Sequence, residues 1–494
     1  MTRILLVLLV CALGCRPRLP APVAPLSATP RDALVASMPP VSFEPAVAPA
    51  VFSHVLANGL QLHVIPLAGA RSVAIQYALR RAAEDGSLGP MGSASFSLEL
   101  ATDRDALAAA FSSDPPLLSS STSVSGGYLS LSTDVVGLEA ALRGLAHLAQ
   151  TTGFDAERIR RQAQTHFDAL DDSSGDVFGQ ARRHAHRLLY GERSVLGQNP
   201  VDMFKTVETL NVSELEGRHQ QLFAPASSAL IVCGDVQPEA VRSLVEEQLG
   251  RLRPPAVPAA PKRSDLGTPP ATRTRVLLLP GRYARIVQAF PAPAADSRQR
   301  VAFEALSFVA AASTSSRVDK QLRERAGQTY HVGGSYQPRR EGGTWLLEAI
   351  VDPKRINYAL RIVDTELARL RNEPVSNAEL TRVRTQLRER RRASLSDVDD
   401  TASLAAQAFL LSPEGSLLDL QRSWDEYYAA IDQVSALDLR ELAQRYVTDR
   451  LRGLVVAGDI RPYLGGWHFK ERDFDLFVLE RSEATSREPA DEPP

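Results

Sequence analysis

The sequence predicts an α+β fold built as two similar lobes, and three observations carry that prediction. The first is an internal echo. Ala229-Leu-Ile-Val-Cys-Gly-Asp-Val-Gln-Pro238 and Gly453-Leu-Val-Val-Ala-Gly-Asp-Ile-Arg-Pro462 each read as a buried strand ending in Gly-Asp-(Val/Ile)-x-Pro. The second is the stretch between them: Arg251 to Thr274 holds six prolines with Lys262, Arg263 and Ser264 and has no apolar period, which marks a linker. The third is that predicted strands fall together and predicted helices fall together, rather than alternating strictly.

The length of 494 residues, with 44% hydrophobic and 23% charged residues, suits more than one core. Fifty-six Lys and Arg against 58 Asp and Glu leave a formal charge of -2, so no global field favours nucleic acid or anionic lipid. The chain opens with an address. Arg3 supplies a positive start, and Ile4 to Leu13 is apolar but too short to span a bilayer as a helix, so residues 1–15 read as a signal peptide. Its end, Ala12-Leu13-Gly14-Cys15, resembles a bacterial lipobox, with Cys15 the expected lipidation site. Residues 16–50 carry nine prolines and read as an extended tether. Arg16 after the lipidated Cys15 points to the periplasmic face of the outer membrane. Of Cys11, Cys15 and Cys233 only Cys233 lies in the folded region, so no disulfide framework is expected. The domain plan is then signal peptide 1–15, tether 16–50, N-terminal lobe 51–250, linker 251–274, C-terminal lobe 275–465 and tail 466–494.

In the first lobe, alternating apolar residues flank Asn58-Gly59 and predict a hairpin. Strands follow at Val73 to Leu79 and Tyr128 to Thr133. Helical spacing runs from Leu138 to Gln150, and from Ala156 to about Leu189 with a break near Asp171 to Gly175. The second lobe repeats the theme, with strands near Val276, Val287, Tyr330 to Tyr336 and Trp345 to Val351. Its helices are expected over Arg298 to Ala312, Lys354 to Arg371 and Ser376 to about Leu410. In the tail, Trp467, Phe469, Phe474 and Phe477 suggest docking before an acidic, Pro-rich end.

Several of these residues resemble the pitrilysin/insulinase family of zinc peptidases. Leu56-Ala-Asn-Gly-Leu-Gln-Leu62 looks like its opening hairpin, and Val232-Cys-Gly-Asp-Val236 like the strand closing each of its lobes. Ser313-Thr-Ser-Ser-Arg-Val-Asp-Lys-Gln-Leu-Arg-Glu-Arg-Ala-Gly-Gln-Thr-Tyr-His-Val332 is similar to the family's Ser-Ser-Arg-Leu…Tyr-x-Val segment, and Asn377-Ala-Glu-Leu380 follows it. The likeness covers about Val51 to Pro462. It implies two homologous lobes, each a mostly antiparallel sheet covered by helices, and a dimer, because full-length relatives close four such lobes around a peptide.

Active relatives bind zinc through His-x-x-Glu-His, whose two imidazoles at i and i+4 share a helix face while the Glu activates water. The matching segment here places Ser95 and Glu99 at the two histidine positions and Leu98 at the catalytic glutamate. No catalytic residue and no zinc are therefore expected in this chain, and the zinc would lie in a partner subunit. The nine histidines offer no pair three or four apart. His147 imitates the motif in the wrong helix, and His166 sits near the place of the distal ligand. His184 and His186, with Arg182, Arg183 and Arg187, read as a solvated basic face. Loss of base and metal together predicts no turnover by the chain alone.

Arg323 and Tyr330 match the family's second-lobe pair, which the resemblance places across the chamber from the zinc as substrate-binding donors. Leu117 to Val124 matches the substrate-binding edge strand, but Ser119-Ser-Ser-Thr122 lacks the family's Asn and reads as a Ser-rich loop. The leading expectation is a non-catalytic subunit pairing with a zinc-bearing relative, or with itself, around a peptide. One alternative is a structural or peptide-binding lipoprotein with no enzymatic partner. Another is an active zinc peptidase with unusual ligands drawn from Glu99, His166 and a further group.

Overall fold

Asn58 sets the first hairpin by local chemistry. Its side-chain oxygen accepts from the Leu60 N–H at 3.1 Å, and its amide donates to Leu249 O at 2.8 Å, 191 residues away. The turn joins β1 (Phe52–Val55) to β2 (Gln61–Pro66), antiparallel with Phe52 opposite Val64. This computed structural model describes residues 48–478 apart from 84–91, 112–116, 152–153, 175–176, 193, 199–208, 253–269, 272, 326–328, 413–419 and 467–473. Cys15 and most of the tether and of the linker lie outside the described residues.

The first sheet adds β3 (Val73–Leu79), β4 (Leu117–Ser123), β5 (Gly126–Thr133) and β6 (Ser228–Gly234), in the order β1-β2-β6-β3-β5-β4. Only β2 and β6 run parallel. Every residue of β3 and β6 is buried, as expected for central strands covered on both faces. Among the described residues these strands are accompanied by α1 (Ser93–Ala101), α2 (Arg104–Ala110), α3 (Leu138–Gln150), α4 (Ala156–Ser174), α5 (Val177–Tyr190), α6 (Val212–Leu222) and α7 (Pro238–Leu249).

The second sheet comprises β7 (Thr274–Leu278), β8 (Ala284–Ala292), β9 (Thr329–Arg339), β10 (Gly342–Val351), β11 (Gly453–Gly458) and β12 (Asp475–Val478). Its order, β12-β7-β11-β8-β10-β9, repeats the first sheet position by position. The echo noted in the sequence extends to the turn after the closing strand: Val236 N donates to Gly234 O and Ile460 N to Gly458 O, both at 2.9 Å. The outermost strand differs. The first sheet takes β1 from upstream, antiparallel, whereas the second takes β12 from the tail, parallel to β7. Phe477 of β12 lies under the Arg275 guanidinium at 4.5 Å and beside the His184 ring at 5.6 Å, so this part of the tail docks as its aromatics suggested.

The helices of the second half are α8 (Arg300–Ala310), α9 (Ile356–Asn372), α10 (Asn377–Ser394), α11 (Val398–Leu411), α12 (Leu420–Gln433) and α13 (Ala436–Tyr446). The stretch expected as one helix to Leu410 is two, because the Asp397 carboxylate accepts from the backbone of Asp399 and Asp400 and starts a new helix there.

Two helices change sides. α5 leaves its own sheet and packs on β8 and β11, while α11 packs on β3, β5 and β6 of the first sheet. Two glycines make room: a Cβ on Gly453 would lie 2.8 Å from Ala185 O, and one on Gly126 would lie 2.6 Å from the Leu410 side chain. The exchange corrects the reading of the 182–187 segment as a solvated face. Arg182 forks onto Glu348 at 2.6 and 2.7 Å, His186 is buried, and Tyr190 OH donates to Gly343 O at 3.0 Å. The apolar side of the same helix, Ala181, Ala185 and Leu188, joins one core cluster with Leu277, Val287 and Val455. A second correction concerns 117–123, which forms the edge strand β4, with alternate residues exposed, in place of a loop.

Candidate functional site

Within α1, Phe96, Ser97, Leu98 and Leu100 are buried, while Ser95 and Glu99 stay partly open. Spacing of i and i+4 places those two on one face, and Ser95 Oγ donates to Glu99 Oε1 at 3.3 Å. Leu98, at the position of the family's base, is 1% exposed and belongs to the core of the first lobe.

α4 crosses this face and is tied to it at successive turns. Arg158 forks onto the buried Asp103 carboxylate at 2.7 and 2.8 Å and also donates to Leu100 O at 2.7 Å. Arg161 bonds Asp105. Gln162 donates to Glu99 Oε2 at 3.5 Å, and His166 Nδ1 meets the same oxygen at 2.5 Å. The Phe96 ring stands edge-on to the buried His166 imidazole, with centroids 5.9 Å apart. Ser95, Glu99 and His166, singled out separately in the sequence, thus form one cluster. Arg158 and Gln162 were missed there, although their spacing of four and eight before His166 puts all three on one helix face.

Set against the zinc motif, the cluster is inverted. On the correspondence that the sequence resemblance implies, a carboxylate stands at the second histidine position and a histidine near the place of the distal carboxylate. These donors do not fit a zinc ion as they are placed. Two ligand atoms on a tetrahedral zinc lie about 3.3 Å apart, whereas His166 Nδ1 and Glu99 Oε2 are hydrogen-bonded to each other at 2.5 Å. Among the described residues there is no group of three or more His, Cys, Asp or Glu able to hold a metal. His147 contacts Thr151 at 3.4 Å on the surface of α3, apart from the cluster.

The second-lobe residues are arranged differently. Arg323 lies in a π-helical turn, Lys320–Arg325, and donates twice to the buried Asp319 carboxylate at 3.1 and 3.2 Å. Its side chain stays half exposed. Tyr330, near the start of the edge strand β9, is 61% exposed and packs on Tyr283 with ring centroids 4.5 Å apart. The hydrogen bond with Tyr283 pushes the Tyr330 phenol above its usual range. Among the described residues no hydrogen bond joins Arg323 to Tyr330. Nearby in sequence, Arg317 forks onto Glu379 at 2.7 and 3.0 Å, linking the Ser-Ser-Arg motif to Asn-Ala-Glu-Leu 62 residues later. Burial opposes ionisation of Glu379, but the Arg317 fork and the Ser376 bonds outweigh it and hold the carboxyl at about 2.

The family model described as Peptidase M16 inactive domain matches residues 209–387, from the end of the first lobe into α10. The match supports the resemblance to the pitrilysin/insulinase peptidases read in the sequence. An uncharacterized zinc protease of Streptomyces coelicolor is 23% identical over 59% of this chain, and the match spans 62% of that relative's length. In fold, a peptidase M16 inactive domain from Pseudomonas fluorescens is similar with a TM-score of 0.70 at 15% identity, covering 87% of this chain and all of that one. A chain of complex III2 from Candida albicans is similar with a TM-score of 0.67 at 16% identity, covering 85% of this chain and 99% of its own length.

Proposed function

We propose that this peptidase homologue is a non-catalytic subunit that pairs with a zinc-bearing member of its family and helps enclose peptides. The observation that carries this reading is the Glu99–His166 hydrogen bond, in which the two groups nearest the family's zinc positions satisfy each other. With Leu98 in the core, no carboxylate at that position is available to deprotonate water. Zinc, on this reading, resides only in the partner, and the chain alone turns over no substrate.

Arg323 and Tyr330 are the residues such a subunit would offer across the chamber. Asp319 aims the Arg323 guanidinium while leaving it half exposed, and Tyr283 supports the Tyr330 ring with its phenol at the surface. Both could donate to a peptide carbonyl or to a developing oxyanion in the partner's site. The family likeness to a chain of complex III2 supports an assembly with other subunits and equally supports the second reading, a structural or peptide-holding role without an enzymatic partner. Delivery to the periplasmic face of the outer membrane through lipid on Cys15 belongs to the same proposal.

The test is purification of the native protein from its own cells, with identification and metal analysis of whatever accompanies it. A co-purifying subunit with the intact zinc motif is expected, together with loss of the complex's peptidase activity in Arg323→Ala and Tyr330→Phe. Full activity in both variants would favour the structural reading. Stoichiometric zinc in the isolated chain would overturn the proposal. Fatty-acid labelling that is abolished in Cys15→Ala checks the anchor.

A further inference from the structure

On the helical side of the second sheet, α8, β9, α10, α11 and α12 enclose a cavity of about 390 Å³. Its charged lining is three guanidiniums, Arg300, Arg390 and Arg391, against one carboxylate, Glu304. The carboxylate is engaged, since Tyr427 OH donates to Glu304 Oε2 at 2.9 Å. The guanidiniums rest on aromatic faces: Arg391 lies 3.9 Å and Arg300 5.9 Å from the Tyr427 ring centroid, and Arg390 lies 5.6 Å from that of Phe308.

An aromatic neighbour does not take up a guanidinium's N–H donors as an oxygen would, so these remain able to bond a further acceptor. Neighbours on α10 are paired with oxygens: Arg384 donates to Val434 O, Arg388 bonds Asp432 and Arg392 bonds Glu389. Arg390 and Arg391, between them in sequence, form no ion pair among the described residues. A second hollow of about 530 Å³ shares Arg300 and Tyr427 with the first and adds Arg298, Asp296 and Glu426 to the lining, so its charge is balanced. Trp424 forms part of the wall.

We propose that this cavity binds a carboxylate side chain of an extended acidic peptide, with Arg390 and Arg391 as its anchors and the adjoining hollow taking the rest of the segment. The assignment rests on the peptide-handling reading above and adds a substrate class to it. Planar forks suit a carboxylate, which can accept two parallel N–H bonds. The two neighbouring hollows offer more room than a compact ion needs, and Glu304 in the wall disfavours a dianion such as phosphate.

The experiment is a titration of the full chain at low salt with a fluorescent, unstructured decapeptide carrying two glutamates, its glutamine counterpart, and inorganic phosphate. The glutamate peptide is expected to bind at least tenfold more tightly than the glutamine peptide and to change Trp424 fluorescence. The double variant Arg390→Gln/Arg391→Gln should lose that tenfold while keeping the wild-type thermal melt, and Arg391→Lys should lose less. Equal binding of the two peptides, or an undiminished double variant, would overturn the site. In that case retained peptide binding leaves the peptide-handling reading standing, whereas absence of binding by either peptide removes both. Phosphate that displaces the peptide at equal concentration would also overturn the carboxylate assignment.

Discussion

The two halves of the molecule share one sheet order but treat their polar groups in opposite ways. In the first half, Glu99, His166, Ser95 and Gln162 turn toward each other in the angle between α1 and α4. In the second, Arg317 and Glu379 pair in a largely buried fork while Arg323 and Tyr330 remain at the surface. The two clusters are stabilised by separate sets of partners, so one can close on itself while the other keeps polar groups at the surface.

That comparison can be broken or sharpened by experiment, and the largest effect is expected at Arg317. Replacing it with Ala leaves the largely buried Glu379 without its ion pair, held only by Ser376, which should cost about 3 kcal/mol in urea unfolding. An unchanged midpoint would show that the fork does not underpin the second site. Acid should act next. Burial holds His63, His186 and His219 at about 4, and burial with Arg275, Arg187 and Arg183 holds His184 at about 3. These groups are neutral in the fold but take up protons in the unfolded chain below about 6.5, so stability is full above that pH and falls as pH drops toward 4. Glu379 adds a later loss, since its contribution is present above about 4.5 and disappears as pH falls through about 2. Urea midpoints measured at successive pH values should show the first decline between pH 6.5 and 4.

His166→Ala removes a bond to a partly open carboxylate and should cost about 1–3 kcal/mol, as seen in the thermal melt. The sharper version rebuilds the motif with Ser95→His, Leu98→Glu, Glu99→His and His166→Glu together. Stoichiometric zinc uptake by that variant, and none by the parent, would show that only side-chain identity separates this site from its metal-binding relatives. The smallest change in stability is expected from Tyr330→Phe, which should leave the melting temperature where it is and act only on a partner's activity. A lowered melting temperature would mark Tyr330 as a packing residue.

Much of the candidate site was readable in advance because its elements are local. The i,i+4 spacing of Ser95 and Glu99 and the period of α4 needed no knowledge of distant contacts. The 2.5 Å contact between Glu99 and His166 spans 67 residues, and nothing in either segment specifies how the helices cross. The Ser-rich edge failed for a related reason: Ser119 to Ser121 have weak strand propensity, and it is pairing with Ser130, Leu129 and Tyr128 of β5 that makes them a strand. Arg317 and Glu379 each lay in a motif already singled out, but their fork joins residues 62 apart.

By itself the sequence determined the paired lobes, the grouping of strands and helices, and the absence of a histidine pair, since repeats, periodicity and residue identity are properties of the chain. Only the tertiary structure decided that α5 covers the second sheet and α11 the first. An amphipathic helix specifies that it must bury a face, and Ala181, Ala185 and Leu188 would suit either sheet. The choice depends on distant fits, with Gly453 admitting α5, Gly126 admitting α11, and Glu348 receiving Arg182.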